Sequence, residues 1–177
     1  MIPSKKRLLE FVKEHHEGQK RKYTGEEYFF HVLEVANGSE SRVFLGWEVG
    51  LCHDLIEDTD CTYTELYEFL VTKYKCSRPY AQYIVEGVRA LTDVYTKEAY
   101  PELNRKDRKI LEAKRLGNID KDFQTIKYVD LIDNTASILE HDPKFSKVYL
   151  EEKKLILELM DKGDQELLEK CKRQIYS

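Results

Sequence analysis

The sequence predicts an all-α protein folded as a single compact multi-helix bundle. Apolar residues recur at helical rather than alternating spacing along almost every segment. No strand pair, internal repeat or low-complexity linker interrupts that pattern. With 177 residues, 41% hydrophobic and 35% charged, the chain can bury one core and still solvate its surface. One domain is therefore expected over residues 1–177, its core at about 8–160 and the closing helices reaching 177.

Leu8, Leu9, Phe11 and Val12 begin an amphipathic helix that should run out near Gly18. Tyr28, Phe29, Val32, Leu33, Val35 and Ala36 belong to a second, which Asn37-Gly38-Ser39 is expected to stop. Residues 43–56 read as a third helix, apolar enough to lie centrally. Thr62 or Thr64 suits the cap of the next, which carries Leu66, Phe69, Leu70 and Val71. Another follows Pro79, with Ile84, Val85, Val88 and Leu91 on its buried side. Residues 92–104, with Pro101 among them, read as a loop long enough to serve as a lid. Helices resume at about 110–116 and 123–139. A break at His141-Asp142-Pro143 then precedes closing helices at 148–160 and 165–175.

The formal net charge of −4 gives no global basic field, so a nucleic-acid polymer is not an expected partner. No apolar run approaches the roughly 20 residues that cross a bilayer, and Ile2-Pro3-Ser4-Lys5-Lys6-Arg7 does not resemble a secretory signal. Cys52, Cys61, Cys76 and Cys171 form no close pair. Free thiols, a cytoplasmic setting and no membrane partner are expected.

Three groups of polar residues sit beside apolar helices. In Cys52-His53-Asp54-Leu55-Ile56-Glu57-Asp58-Thr59, a helix would gather one imidazole and three carboxylates at one end. Such a helix end can simply be solvated. At the edge of a core, however, like charges call for a compensating cation. Lys127, Asp130, Asn134 and Ser137 recur at helical spacing. That stripe can face water, or it can line a pocket in which Asp130 is a ligand and Asn134 and Ser137 offer hydrogen bonds. His31 stands in an aromatic stretch, either as a satisfied core residue or as a ligand. Taken together, His31, His53, Asp54 and Asp130 would suit one borderline divalent ion (manganese, iron, cobalt or zinc), with positions left for water and substrate.

These residues resemble the HD phosphohydrolase superfamily, and more narrowly the hydrolase domains of the RelA/SpoT type, including small alarmone hydrolases and the metazoan SpoT homologue. The first similar stretch is His15-His16-Glu17-Gly18-Gln19-Lys20-Arg21-Lys22 with Gly25-Glu26-Glu27-Tyr28-Phe29-Phe30-His31. The others are His53-Asp54-Leu55-Ile56-Glu57-Asp58-Thr59, Val88-Arg89-Ala90-Leu91-Thr92-Asp93 and Lys127-Tyr128-Val129-Asp130-Leu131-Ile132-Asp133-Asn134. The chain departs from the family pattern at Glu27, Val32 and Asp133, and in the spacing around Tyr23, changes that bear on base specificity rather than on the ligands.

The resemblance implies one metal, usually manganese, and hydrolysis of a small nucleotide. The leading substrate is guanosine 3′,5′-bis(diphosphate) (ppGpp), an alarmone of the stringent response, which loses its 3′-pyrophosphate. A phosphatase on another nucleotide such as NADPH is the alternative, and a non-catalytic nucleotide-binding regulatory module is a third reading. Glu57 and Asp58 are the candidate catalytic pair, positioning water and handling protons, with mutual repulsion able to keep one carboxyl protonated. Phosphate contacts are expected from Arg21, Lys22, Lys97, Arg105, Lys106 and Lys127. Thr24, Asn134 and Ser137 are candidates for the sugar or base, and Tyr23 either stacks on the base or packs internally.

Overall fold

The computed structural model describes residues 4–176, so Met1, Ile2, Pro3 and Ser177 of the expected span lie outside it. It is helical, as the periodicity predicts. Among the described residues no strand forms, and the isolated bridge between Lys20 and Glu27 is the nearest approach to one. Among the described residues no helix is long and apolar enough to cross a membrane. The chain divides between Thr92 and Asp93 into two compact units.

In the first unit, α1 (Lys5–His15) buries Leu8 and Val12. The chain turns at Gly18, whose φ of +79° lies in the left-handed region that glycine enters without strain. Gly25, at φ +71°, closes a narrow turn in which the Arg21 amide donates to the Glu26 carbonyl at 2.8 Å. α2 (Phe29–Ser39) stops at Ser39, the last residue of the Asn37-Gly38-Ser39 stretch expected to end it. The Ser39 hydroxyl donates back to the Val35 carbonyl at 2.8 Å, so it is satisfied within that last turn.

The single helix expected over 43–56 is two helices, α3 (Gly46–Cys52) and α4 (Leu55–Asp58). Leu45 sits at φ +52°, which prevents an earlier start. At the other end, the His53 ring takes the Gly50 carbonyl as its partner at 2.8 Å, and the chain bends at His53 and Asp54. α5 (Tyr63–Phe69) is capped by Thr62, whose side chain accepts from the Glu65 amide. It runs on as a π-helical turn (Leu70–Tyr74) that Lys75 ends at φ +65°. α6 (Arg78–Leu91) carries Pro79 in its first turn, where its missing N–H costs nothing.

α2 and α3 make the closest helix contact of this unit. A Cβ added to Gly50 would lie 3.0 Å from both the Ala36 Cα and the Val35 carbonyl oxygen. His31 stands one turn before that crossing and His53 one turn after Gly50, so the approach of the two backbones sets the spacing of the two imidazoles.

The second unit begins with the segment 93–104, which has no helix. Its start is tied down rather than loose. The buried Glu112 carboxylate accepts from the Val94 and Tyr95 amides, both at 3.1 Å. α7 (Arg105–Leu116) starts earlier than its apolar residues suggest, because the Asn104 side chain accepts from the Asp107 amide as a cap. α8 (Lys121–His141) is the long central helix. α9 (Pro143–Leu159) also starts ahead of expectation: Asp142 caps the Phe145 amide and Pro143 is the first helical residue, not part of a longer break. α10 (Gln165–Tyr176) closes the unit.

Ile126, Leu131, Leu157, Met160, Leu168 and Cys171 form much of its core. Lys153 of α9 is 1% exposed, and its ammonium donates to Thr135 on α8 and Gln174 on α10, both at 2.7 Å. Burial lowers its pKa to about 8.

Gly50→Ala is expected to lower stability by about 1–3 kcal/mol, because a methyl must push two backbones apart. Chemical denaturation of the metal-free protein measures it; an unchanged midpoint would show that the α2–α3 contact is slack.

Candidate metal centre

α2 supplies His31, and the bend between α3 and α4 supplies His53 and Asp54. Both imidazoles are buried, at 0% and 2% exposure. The His53 Nδ1 faces the Gly50 carbonyl, which can only accept, so Nδ1 carries a proton and Nε2 is the nitrogen turned toward Asp54. That nitrogen lies 2.9 Å from the Asp54 Oδ2, and the His31 Nε2 lies 3.5 Å from the same oxygen. The two rings meet edge to face with centroids 5.3 Å apart.

One donor atom from each of the three residues falls within 4.8 Å of the others. Ligands bound tetrahedrally at about 2.0–2.2 Å lie ~3.4 Å from one another, so a divalent ion fits with small adjustments. Two nitrogens and a carboxylate, without thiolate, suit the borderline ions inferred from the sequence.

The charge on Asp54 is well supported. Burial by itself would raise its carboxyl, but the charge of His53 and the facing His31 imidazole hold it well below the usual carboxylate range. The Tyr28 hydroxyl donates to the same Oδ2 at 2.7 Å.

Asp58 sits at the rim, one turn beyond Asp54, and its amide donates to the Asp54 carbonyl. Partial burial and then the Asp54 charge raise its carboxyl, against hydrogen bonds from Gln19 and Tyr28. The Gln19 side-chain amide donates to it at 3.1 Å. Glu57 and Asp58 line an open surface depression together with His15 and Gln19.

Sequence reasoning named Glu57 and Asp58 but missed three residues that organise their surroundings: His16, Gln19 and Tyr28. His16 is buried, bonds Gln19 at 2.6 Å and stacks on Tyr28 with centroids 5.4 Å apart. Burial lowers its pKa, opposed by the Gln19 bond and the charges of Asp54 and Asp58. All three stand in the first of the similar stretches, but none carries a fixed charge that would have singled it out.

The other sequence-predicted residues are placed as follows. In the first unit, Arg21, Lys22 and Thr24 lie on the 18–28 turn. Lys22 reaches over the Tyr23 ring at 5.0 Å, and the Thr24 hydroxyl accepts from the Glu26 amide at 3.3 Å. In the second unit, Asp130 is buried on α8, with the Lys127 ammonium 2.8 Å from Oδ2 and the Asn134 amide donating to Oδ1 at 2.5 Å. Part of the polar stripe is thus one hydrogen-bonded set rather than a water-facing edge. Ser137 is one turn further, its carbonyl bonded to the His141 ring. Lys97 and Lys106 are exposed, whereas Arg105 makes a two-pronged pair with Glu152 at 2.6 and 2.9 Å.

No protein-family model matches the chain. Over 67 residues, 35% of its length, it is 45% identical to a guanosine-3′,5′-bis(diphosphate) 3′-pyrophosphohydrolase of Aquifex aeolicus. The chain spans only 9% of that curated relative. A solved structure described as a metazoan ortholog of SpoT that hydrolyzes ppGpp and plays a role in starvation responses matches 99% of this chain and 97% of its own. Its TM-score is 0.76 at 21% identity. The chain therefore has the all-helical fold of that protein, in line with the resemblance read from its motifs.

In the metal-free protein, Asp54 stabilises the fold above about pH 4, where it is ionised in both states. That contribution is lost as the pH falls toward its depressed native value. Urea unfolding of the parent and Asp54→Asn should therefore give stabilities that differ at pH 6 and converge toward pH 3. A gap that does not change with pH would remove the charge from the explanation. Tyr28→Phe is expected to weaken Mn2+ binding by about 10-fold, as loss of a bond to a ligand usually does, read by calorimetric titration.

Proposed function

We propose that this chain is a divalent-metal-dependent phosphohydrolase that removes the 3′-pyrophosphate of guanosine 3′,5′-bis(diphosphate), leaving GDP. The observation that carries the reading is the His31–His53–Asp54 cluster, two buried imidazoles and a partly buried carboxylate with donor atoms within 4.8 Å of one another. The 45% identical stretch, whose Aquifex counterpart is named for this reaction, supports the choice of substrate, and so does the fold likeness.

In this reading Asp130 is the fourth ligand, oriented by Lys127 and Asn134, and the two units act as one hydrolase domain over residues 1–177. Manganese is the preferred ion, although the nitrogen and oxygen donors also accept iron, cobalt or zinc. When bound, the ion supplies Lewis-acid charge at the phosphoryl oxygens and activates water. Such charge stabilisation is what phosphate-ester hydrolysis, extremely slow without a catalyst, demands.

The protein's own residues do the rest. Glu57 orients water and accepts its proton as the water oxygen attacks the phosphorus joined to the 3′-oxygen. The bond from that phosphorus to the 3′-oxygen breaks and pyrophosphate departs. Asp58, whose raised carboxyl suits it to hold a proton, gives it to the leaving 3′-oxygen. Gln19 keeps that carboxyl in place.

Lys127, Arg21, Lys22 and Lys97 neutralise the phosphates. Arg105 joins them by exchanging Glu152 for phosphate. Thr24, Asn134 and Ser137 meet the sugar and base. The substrate is a small nucleotide rather than a polymer, and the proposed setting is the cytoplasm and the stringent response.

With Mn2+ and guanosine 3′,5′-bis(diphosphate), pyrophosphate and GDP are expected. Glu57→Gln and Asp58→Asn should each lower kcat by about 10²–10⁴ while Mn2+ stays bound. Orthophosphate released from NADPH in place of that reaction, or no turnover of either nucleotide by the metal-loaded protein, overturns the proposal.

A further inference from the structure

We propose a second metal site in the first unit, formed by His15, Cys61 and Glu65 and suited to a thiophilic divalent ion such as Zn2+. One imidazole nitrogen, the thiol sulfur and one carboxylate oxygen lie within 4.8 Å of one another. The His15 Nε2 and Glu65 Oε1 are 3.7 Å apart, too far for a hydrogen bond and close to the ~3.4 Å separation of two ligands on a tetrahedral ion.

Each donor is held by a different local device. His15 is the last residue of α1, and its ring packs edge-on against Phe11 at 4.5 Å. The amide of Cys61 donates to the Thr59 hydroxyl at 3.1 Å, which fixes the loop between α4 and α5. Glu65 lies in the first turn of α5, where Thr62 caps its amide. The thiol is 3% exposed, while the imidazole and carboxylate reach solvent. Entry and a fourth, water-filled position therefore lie on the open side, as in sites with three protein ligands.

The donor set also selects the ion. Sulfur joins nitrogen and oxygen here, whereas the first site has no sulfur, so this site favours Zn2+, Co2+ or Cd2+ over Mn2+. Binding replaces the thiol proton with the metal and releases that proton to solvent. Burial, with the nearby Glu65 charge, pushes the free thiol up to about 12. A bound ion ties the end of α1 to the loop leaving Glu57 and Asp58, and His15 lines the same depression as that pair. The site does not depend on which nucleotide is hydrolysed.

Cobalt titration of the reduced, full-length protein tests it. Thiolate bound to Co2+ gives a near-ultraviolet charge-transfer absorption that the sulfur-free triad of His31, His53 and Asp54 cannot give. The band is expected in the parent and in His53→Ala, and absent in Cys61→Ser. In Glu65→Gln, which changes an exposed side chain and leaves the core intact, Co2+ affinity at this band should fall by more than ~10-fold. Added Zn2+ should erase the band. No band in the parent, a band that survives Cys61→Ser, or unchanged affinity in Glu65→Gln would each overturn the proposal.

Discussion

The close crossing of α2 and α3 at Gly50 is the constraint on which the rest of the first unit depends. Without a side chain at that position, the Val35–Ala36 backbone comes near enough for the imidazole on α2 and the one just past α3 to face one carboxylate. Each histidine alone would be an unremarkable buried residue. Together with Asp54 they form a cluster whose charge balance needs either protons or a cation. A packing detail, the missing side chain of one glycine, thereby sets the chemistry nearby.

The bend at His53 and Asp54 is the second contribution. In an unbroken helix, successive residues point about a quarter-turn apart and would not both address a point next to α2. Here the ring of His53 takes a carbonyl from the last turn of α3, and the chain restarts as α4 with Asp54 at its head. The same interaction fixes which ring nitrogen faces inward. Orientation of the imidazole and termination of the helix are a single event.

Much of this was legible in the sequence. Helical periodicity gave the class and most of the elements, because the buried face of each helix is written in its apolar spacing. The His31–His53–Asp54 cluster was legible as a combination, since each residue has an ordinary explanation alone. The boundaries were harder to read. Pro143 looks like a breaker but acts within a helix, as its first residue. Asn104 and Asp142 start helices well ahead of their first buried apolar residue. Gln19 and Tyr28 were not legible as site residues, because an amide or a phenol gains its role only when the fold sets it beside a carboxylate. The His15–Cys61–Glu65 grouping was likewise invisible, with donors on two helices and a loop between them.

Lys153 has a consequence of another kind. An aliphatic side chain in its place could slide or rotate among its neighbours at little cost, but an ammonium shared between a hydroxyl on α8 and an amide on α10 has directional demands. The Gln174 amide completes the lock by donating to the Ile132 carbonyl. These bonds give three helices one angular and axial registration, so the polar stripe of α8 is backed by a rigid strut, and the far end of the chain serves as scaffolding for Asp130.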